Sequence, residues 1–151
     1  MFYLNHAFLQ TIKKKVYIDE KCLSAMLKTV SIAGIEKQGV PFKEENTSLD
    51  EATKHVSIGN LTWIECVVDD IVSETPKILE KLKINMDSST LLSGYLTEYE
   101  DVGDTLGLMV PFIFTGENRT QTSPCLIFLK KDLIVTIHDD YGGKITKLYN
   151  Y

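Results

Sequence analysis

Two apolar runs, Cys125-Leu-Ile-Phe-Leu129 and Leu133-Ile-Val-Thr-Ile137, stand back to back across Lys130-Lys-Asp132. They are short and continuous in hydrophobicity instead of alternating. They therefore read as two strands of an antiparallel hairpin covered on both faces, with the charged triplet as a three-residue loop in solvent. Thr105 to Thr115, TLGLMVPFIFT, is a further apolar strand, and Pro111 marks a bulge or an edge in it because proline cannot donate to a ladder. The polar segment Gly116 to Pro124 reads as the connecting loop, so residues 105–138 form a three-stranded antiparallel meander. Strands hydrophobic on both sides require helices on both faces of the sheet.

Upstream, Leu61-Thr-Trp-Ile-Glu-Cys-Val-Val68 is rich in β-branched and aromatic residues and predicts a strand ending at Asp69-Asp70. Ser73 to Ile84 predicts a helix, with Thr75 as cap, Pro76 at the first helical position and Ile78, Leu79 and Leu82 as the buried face. Asn85 ends it, and Asp87 caps a second short helix that presents Leu91, Leu92 and Tyr95. Ser48 with Glu51 forms a capping-box pair ahead of a helix near 49–55, and the polar stretch from Gly39 to Thr47 reads as loop. Apolar positions 22, 23, 26 and 27 recur at helical intervals and place another short helix over 21–28.

The length, 151 residues, suits a single domain able to bury a sizeable core, and no repeat, low-complexity tract or Pro/Gly-rich linker divides it. A formal net charge of −5 repels nucleic acid and anionic lipid on average, which argues against a nucleic-acid partner. Cys22, Cys66 and Cys125 are odd in number and far apart, so neither a disulfide framework nor a close-spaced zinc motif is indicated, and a reducing cytoplasm is the simplest setting. The N-terminus places its basic cluster, Lys13-Lys-Lys15, after the apolar residues, the reverse of a secretory signal. No apolar run approaches the ~20 residues that span a bilayer.

Three constellations carry potential chemistry. His138-Asp139-Asp140 offers metal-ligating or acid–base groups; its plainer reading is a strand end running into a turn. Cys66 or Cys125 with His55 or His138 could make a thiol nucleophile and its base, against which both cysteines sit in apolar strands where thiols are usually packing. The stretch from Thr97 to Asp104 gathers carboxylates that could hold a hard cation, or could be a solvated acidic connection. Phosphate-binding glycine loops and the serine-hydrolase elbow are missing from the sequence.

Three segments taken in order carry a resemblance. Thr62-Trp-Ile-Glu65 with Asp69-Asp70, followed by Pro76 to Asn85, resembles the "W-I-[DN] … helix … G-I-H" passage of the CorA family of divalent-cation transporters. Glu98 to Val110 is similar to that family's acidic and apolar strand segment, and CLIFLKKDLIVTIHD to its "I-F-L-x-x-N-x-L-I-T-V-H" hairpin. The resemblance covers about residues 60–140; residues 1–58 match none of its motifs.

The resemblance implies an α/β fold with a mixed, largely antiparallel sheet in α/β/α layers, forming one cytoplasmic domain over 1–151 that lacks the family's stalk and membrane helices. It implies no enzymatic role and no tightly bound cofactor. Its regulatory ligand would be magnesium or another divalent cation, sensed by carboxylates between copies of a homopentamer, and its partners would be those copies and the stalk and membrane helices. The expected place is the cytoplasmic face of the membrane, within a longer protein. The family's sensing acids fall here on Thr90 and Leu91, which leaves Asp87 as the metal-ligand candidate, although a helix cap is the stronger reading of that residue. In the resemblance His138 simply closes a core strand. The alternative to a transporter domain is a free-standing α/β ligand-binding or scaffold domain.

Overall fold

The computed structural model describes residues 27–56, 60–93, 98–115 and 120–140. Within these residues seven strands form one sheet: β1 Leu27–Ile35, β2 Pro41–Thr47, β3 Leu61–Val68, β4 Glu98–Val102, β5 Thr105–Thr115, β6 Thr120–Lys130 and β7 Leu133–Asp139. Their order is β2-β1-β3-β7-β6-β5-β4. Only β3 and β7, at the centre, run parallel; every other pairing is antiparallel. The expected α/β class with a mixed, largely antiparallel sheet is what the chain adopts.

Among the described residues three helices, α1 Leu49–Val56, α2 Ile71–Lys81 and α3 Ser88–Ser93, pack on one face of this sheet. Their Leu49, Ala52, Ile78, Leu79 and Leu91 share a single apolar cluster with Ile32, Ile64, Cys66, Phe128, Val135 and Ile137. Burying each such large aliphatic or aromatic side chain contributes about 1.5–3 kcal/mol. On the opposite face lie Trp63, Glu65, Cys125, Ile127, Thr136 and His138, as the strand registers require. The expected helix over 21–28 falls outside the described residues up to position 26, and Leu27 and Lys28 open β1 instead. Among the described residues no helix is long and apolar enough to cross a membrane.

Each helix begins where an oxygen is available. Ser48 Oγ accepts from Glu51 N at 3.1 Å, the expected cap of α1. Asp87 Oδ1 accepts from Ser89 N at 2.9 Å and starts α3, while Tyr95 lies outside the described residues. For α2 the expected cap is corrected. Asp70, not Thr75, starts it, with Oδ1 accepting from Val72 N at 3.0 Å and its carbonyl from Glu74 N at 3.0 Å. Pro76 consequently sits inside the helix. The carbonyl it cannot engage, four residues back, belongs to Val72, which is 67% exposed and so open to water. The helix closes through Lys83 N to Glu80 O at 3.0 Å and Ile84 N to Leu79 O at 2.8 Å, with Lys83 left-handed at φ 56. Glycine usually takes that position, and a lysine there costs about 1 kcal/mol.

Three expected loops are strands. Pro41–Thr47 forms β2 on the sheet edge, with Pro41 at its first residue opposite Ile35. Glu98–Val102 forms β4 on the other edge, turning into β5 through Gly103 and Asp104, where Gly103 supplies φ 66. Residues 120–124 belong to β6; the three-stranded meander expected over 105–138 is β5-β6-β7, and β4 extends it by a fourth strand. The β6–β7 loop is Lys131-Asp132 alone, since Lys130 pairs with Leu133. Pro111 sits in β5 opposite Pro124 of β6 in an unbroken register, without a bulge, and among the described residues the pairing of β4 with β5 begins at Glu98 opposite Met109, short of Pro111.

Candidate functional site

The central parallel pair brings the carboxyl ends of β3 and β7 side by side, Val68 opposite Asp139. On the face away from the helices His138 lies opposite Val67 and Glu65 opposite Thr136, and the two side chains meet diagonally across the strands, with Glu65 Oε1 3.2 Å from His138 Nε2. Both are buried, at 2% and 0% exposure. The other ring nitrogen, Nδ1, donates to the carbonyl oxygen of Asp139 at 2.7 Å, since a carbonyl can only accept. Nε2 thereby faces the Glu65 carboxyl group, and a proton on Nε2 is donated to Oε1. Burial opposes a charge on His138, but the hydrogen bonds to Glu65 and Asp139 and the negative charge of both hold its pKa above the ordinary histidine value.

Around this pair the polar atoms are paired as well. Trp63 Nε1 donates to Thr136 Oγ1 at 3.2 Å, and Ser123 Oγ donates to Asp139 Oδ2 at 2.6 Å. Lys28, from the start of β1, bridges Asp69 at 2.9 Å and Asp140 beyond the two strand ends. The hydrogen bonds to Asp140 and Asp69 raise its pKa. The three residues of the His138-Asp139-Asp140 segment thus go to three different partners: Glu65, Ser123 and Lys28. That dispersal matches a strand end.

The thiol candidates are separated by the sheet. Cys66 faces the helices, whereas Cys125 stands across from His138 on the other face. Burial first, then the charge of Glu65, pushes both thiols up to about 12, so neither ionises near neutrality. His138 has both nitrogens committed, and His55 stacks on Phe42 at 4.8 Å with Nε2 3.8 Å from Glu44 of β2. No base is available to either sulfur among the described residues.

Along the expected acidic stretch, the carboxylates are distributed over a strand and a turn. Asp104 binds Lys130 at 3.0 Å and accepts from Thr105 Oγ1 at 3.0 Å, contacts that lower its pKa. Asp87 is exposed, and the Ser89 backbone N–H, then the Ser89 hydroxyl, hold its pKa below the usual carboxylate value. Among the described residues no three His, Cys, Asp or Glu side chains converge to hold a metal ion. A hard cation takes six or more oxygens, and among the described residues no two further such side chains converge on Asp87.

The residue that pattern reading passed over is Glu65. Its signal was present: one ionisable side chain inside an otherwise apolar central strand must find a buried partner, and His138 is the ionisable side chain inside β7 before its terminal aspartate.

No family model matches this sequence, and no curated protein matches it. Among solved structures, the soluble domain of CorA from Methanocaldococcus jannaschii is similar over 83% of this chain and 46% of that one, with 22% identity and a TM-score of 0.53. The cytoplasmic domain of ZntB from Vibrio parahaemolyticus is similar over 83% of this chain and 48% of that one, with 12% identity and a TM-score of 0.50. The chain spans about half the length of either structure and shares their fold.

Proposed function

We propose that this chain is the cytoplasmic regulatory domain of a CorA-like magnesium or related divalent-cation transporter, taking part in oligomer assembly and metal-dependent gating, and is not an enzyme. One observation carries the reading: the ordered motifs over residues 60–140 fall on the same β3-to-β7 segment whose fold is shared with the CorA and ZntB domains. Two weak likenesses of different kinds, covering the same residues, support it together. The buried, unionised thiols and the fully committed histidine agree with a role other than catalysis.

In this reading the other copies of the chain are partners, and a stalk and membrane helices complete the protein at the cytoplasmic face of the membrane. A cation favouring the closed assembly stabilises it by its differential affinity for the two states. Among the described residues no cluster of ligands forms around Asp87, so in this reading metal response belongs to junctions between copies and is coupled to self-association. Solution mass, by light scattering across a magnesium series, tests this. Mass growing beyond the monomer as magnesium rises is expected; a monomer at every concentration would contradict a part in metal-linked assembly.

A further inference from the structure

The chain is acidic overall, yet one end of the molecule is basic. Where the C-terminal ends of α1 and α2 meet the β6–β7 turn, a concave cleft of about 600 Å³ is lined by Lys54, Lys81, Lys83, Lys130 and Lys131. Asp132 is the one carboxylate among its lining residues. Between the ammonium groups the wall is apolar, made by Val56, Leu82 and Leu133.

Part of this charge has an ordinary cause. Lys54 and Lys81 sit at helix C-termini, where cations complement the exposed carbonyls, and they reach Glu51 at 2.6 Å and Asp50 at 2.7 Å. Lys130 reaches Asp104 at 3.0 Å. These carboxylates are all more than half exposed, and such pairs are worth little, so the lysines can be drawn to another anion at small cost. Lys83 and Lys131 are different: among the described residues neither has a carboxylate partner. Lys83 also holds the left-handed closing position of α2 against its steric cost, which helix closure alone does not require of a lysine.

We infer that this cleft binds a small polyanion with an apolar part, of the nucleoside di- or triphosphate class. Lysines take phosphate oxygens as point charges, and the apolar wall takes the base. The volume lies within the range of small-molecule sites. A nucleic-acid strand fits poorly, because the concavity is local and the rest of the chain repels a polyanion. The inference stands apart from the transporter reading and does not depend on it.

Calorimetric titration of the whole chain with ATP in EDTA, at low salt, tests it, with inorganic triphosphate and adenosine as probes of the two halves. Expected are saturable ATP binding, tighter than either half, that weakens as salt is raised. Lys131→Ser and Lys83→Gly should each weaken it roughly tenfold or more. Lys83→Gly should also raise the melting temperature by about 2–4 °C by relieving the left-handed lysine, so that lost binding is not lost folding. Three results would overturn the inference: no saturable ATP binding; triphosphate binding as tightly as ATP; or sedimentation with phosphatidic-acid vesicles while ATP fails to bind, which would assign the lysines to a membrane surface. Unchanged ATP affinity in the Lys83→Gly, Lys131→Ser double variant would overturn the location.

Discussion

Removing the Glu65 carboxylate should unbalance the centre of the sheet in a way that depends on what replaces it. Glu65→Ala leaves His138 buried with Nε2 unpaired, because Nδ1 is held by the Asp139 carbonyl. Breaking one side of a buried pair costs about 3–5 kcal/mol. For a domain of this length, where each kcal/mol moves the midpoint by about 2–4 °C, that is a fall of roughly 6–20 °C. Glu65→Gln is different, since its amide can donate to Nε2 of a neutral ring, and its cost should stay within about 1 kcal/mol.

Wild type and Glu65→Gln also separate by pH. The groups facing His138 are Glu65 on β3, Cys125 on β6 and Asp139 beside it on β7, and the thiol, near 12, does not titrate in the range concerned. The folded protein holds the His138 proton more tightly than the unfolded chain does. Stability from the pair is therefore fully present below the ordinary histidine value of about 6.5 and is lost as pH rises through the raised folded value, at up to about 1.4 kcal/mol per pH unit. Glu65→Gln should lack this loss. Urea unfolding followed by circular dichroism between about pH 6 and pH 9 measures it. Parallel pH curves for wild type and Glu65→Gln, or equal destabilisation by Ala and Gln, would refute the buried His138–Glu65 hydrogen bond as the source of the raised histidine pKa.

Three further outcomes follow from the packing. In Gly34→Ala the new Cβ would meet the Leu61 carbonyl oxygen and lie 2.6 Å from the Phe42 ring, so β1 must shift from its neighbours, and chemical denaturation should show a loss of about 1–3 kcal/mol. Thr75 is fully buried and its hydroxyl has no hydrogen-bond partner among the described residues, so Thr75→Val should be neutral or stabilising by about 1 kcal/mol in the same assay. Cys66 and Cys125, held un-ionised by burial, should react with a thiol reagent only on denaturation; either one reacting fast in the native protein would contradict the described core.

The parts of the fold that were legible in the sequence are those where hydrophobicity decides the outcome. β3, β5, β6 and β7 carry the apolar runs, and Ile78, Leu79 and Leu91 were identifiable as buried helix residues from their spacing alone. The edge strands were not legible. β2 contains Lys43-Glu-Glu45 and β4 contains Glu98-Tyr-Glu-Asp101, charged sequences of the sort that keep sheet edges from pairing with other chains, and a hydrophobic pattern reads them as loops. The start of α2 was misplaced for a related reason. A rule that keeps proline in the first turn overrides the better cap, yet here burial of Ile71 and the Asp70 oxygens outweigh one missing hydrogen bond at a solvent-facing carbonyl. As for the sites, burial of His138 at a strand end followed from position, whereas its pairing with Glu65 needed the parallel register of β3 and β7, which no local pattern encodes.

The regulatory-domain reading is tested most directly by the melting temperature of the chain in millimolar magnesium, cobalt, calcium or zinc against a matched monovalent salt, in wild type and in Asp87→Asn. Asparagine caps a helix as well as aspartate does, so the variant removes the charge and keeps the fold. A cation bound by the folded assembly must raise the midpoint. The reading predicts a selective rise with magnesium or cobalt that Asp87→Asn abolishes. Identical midpoints in every salt, or a rise that Asp87→Asn leaves untouched, would contradict metal sensing at Asp87.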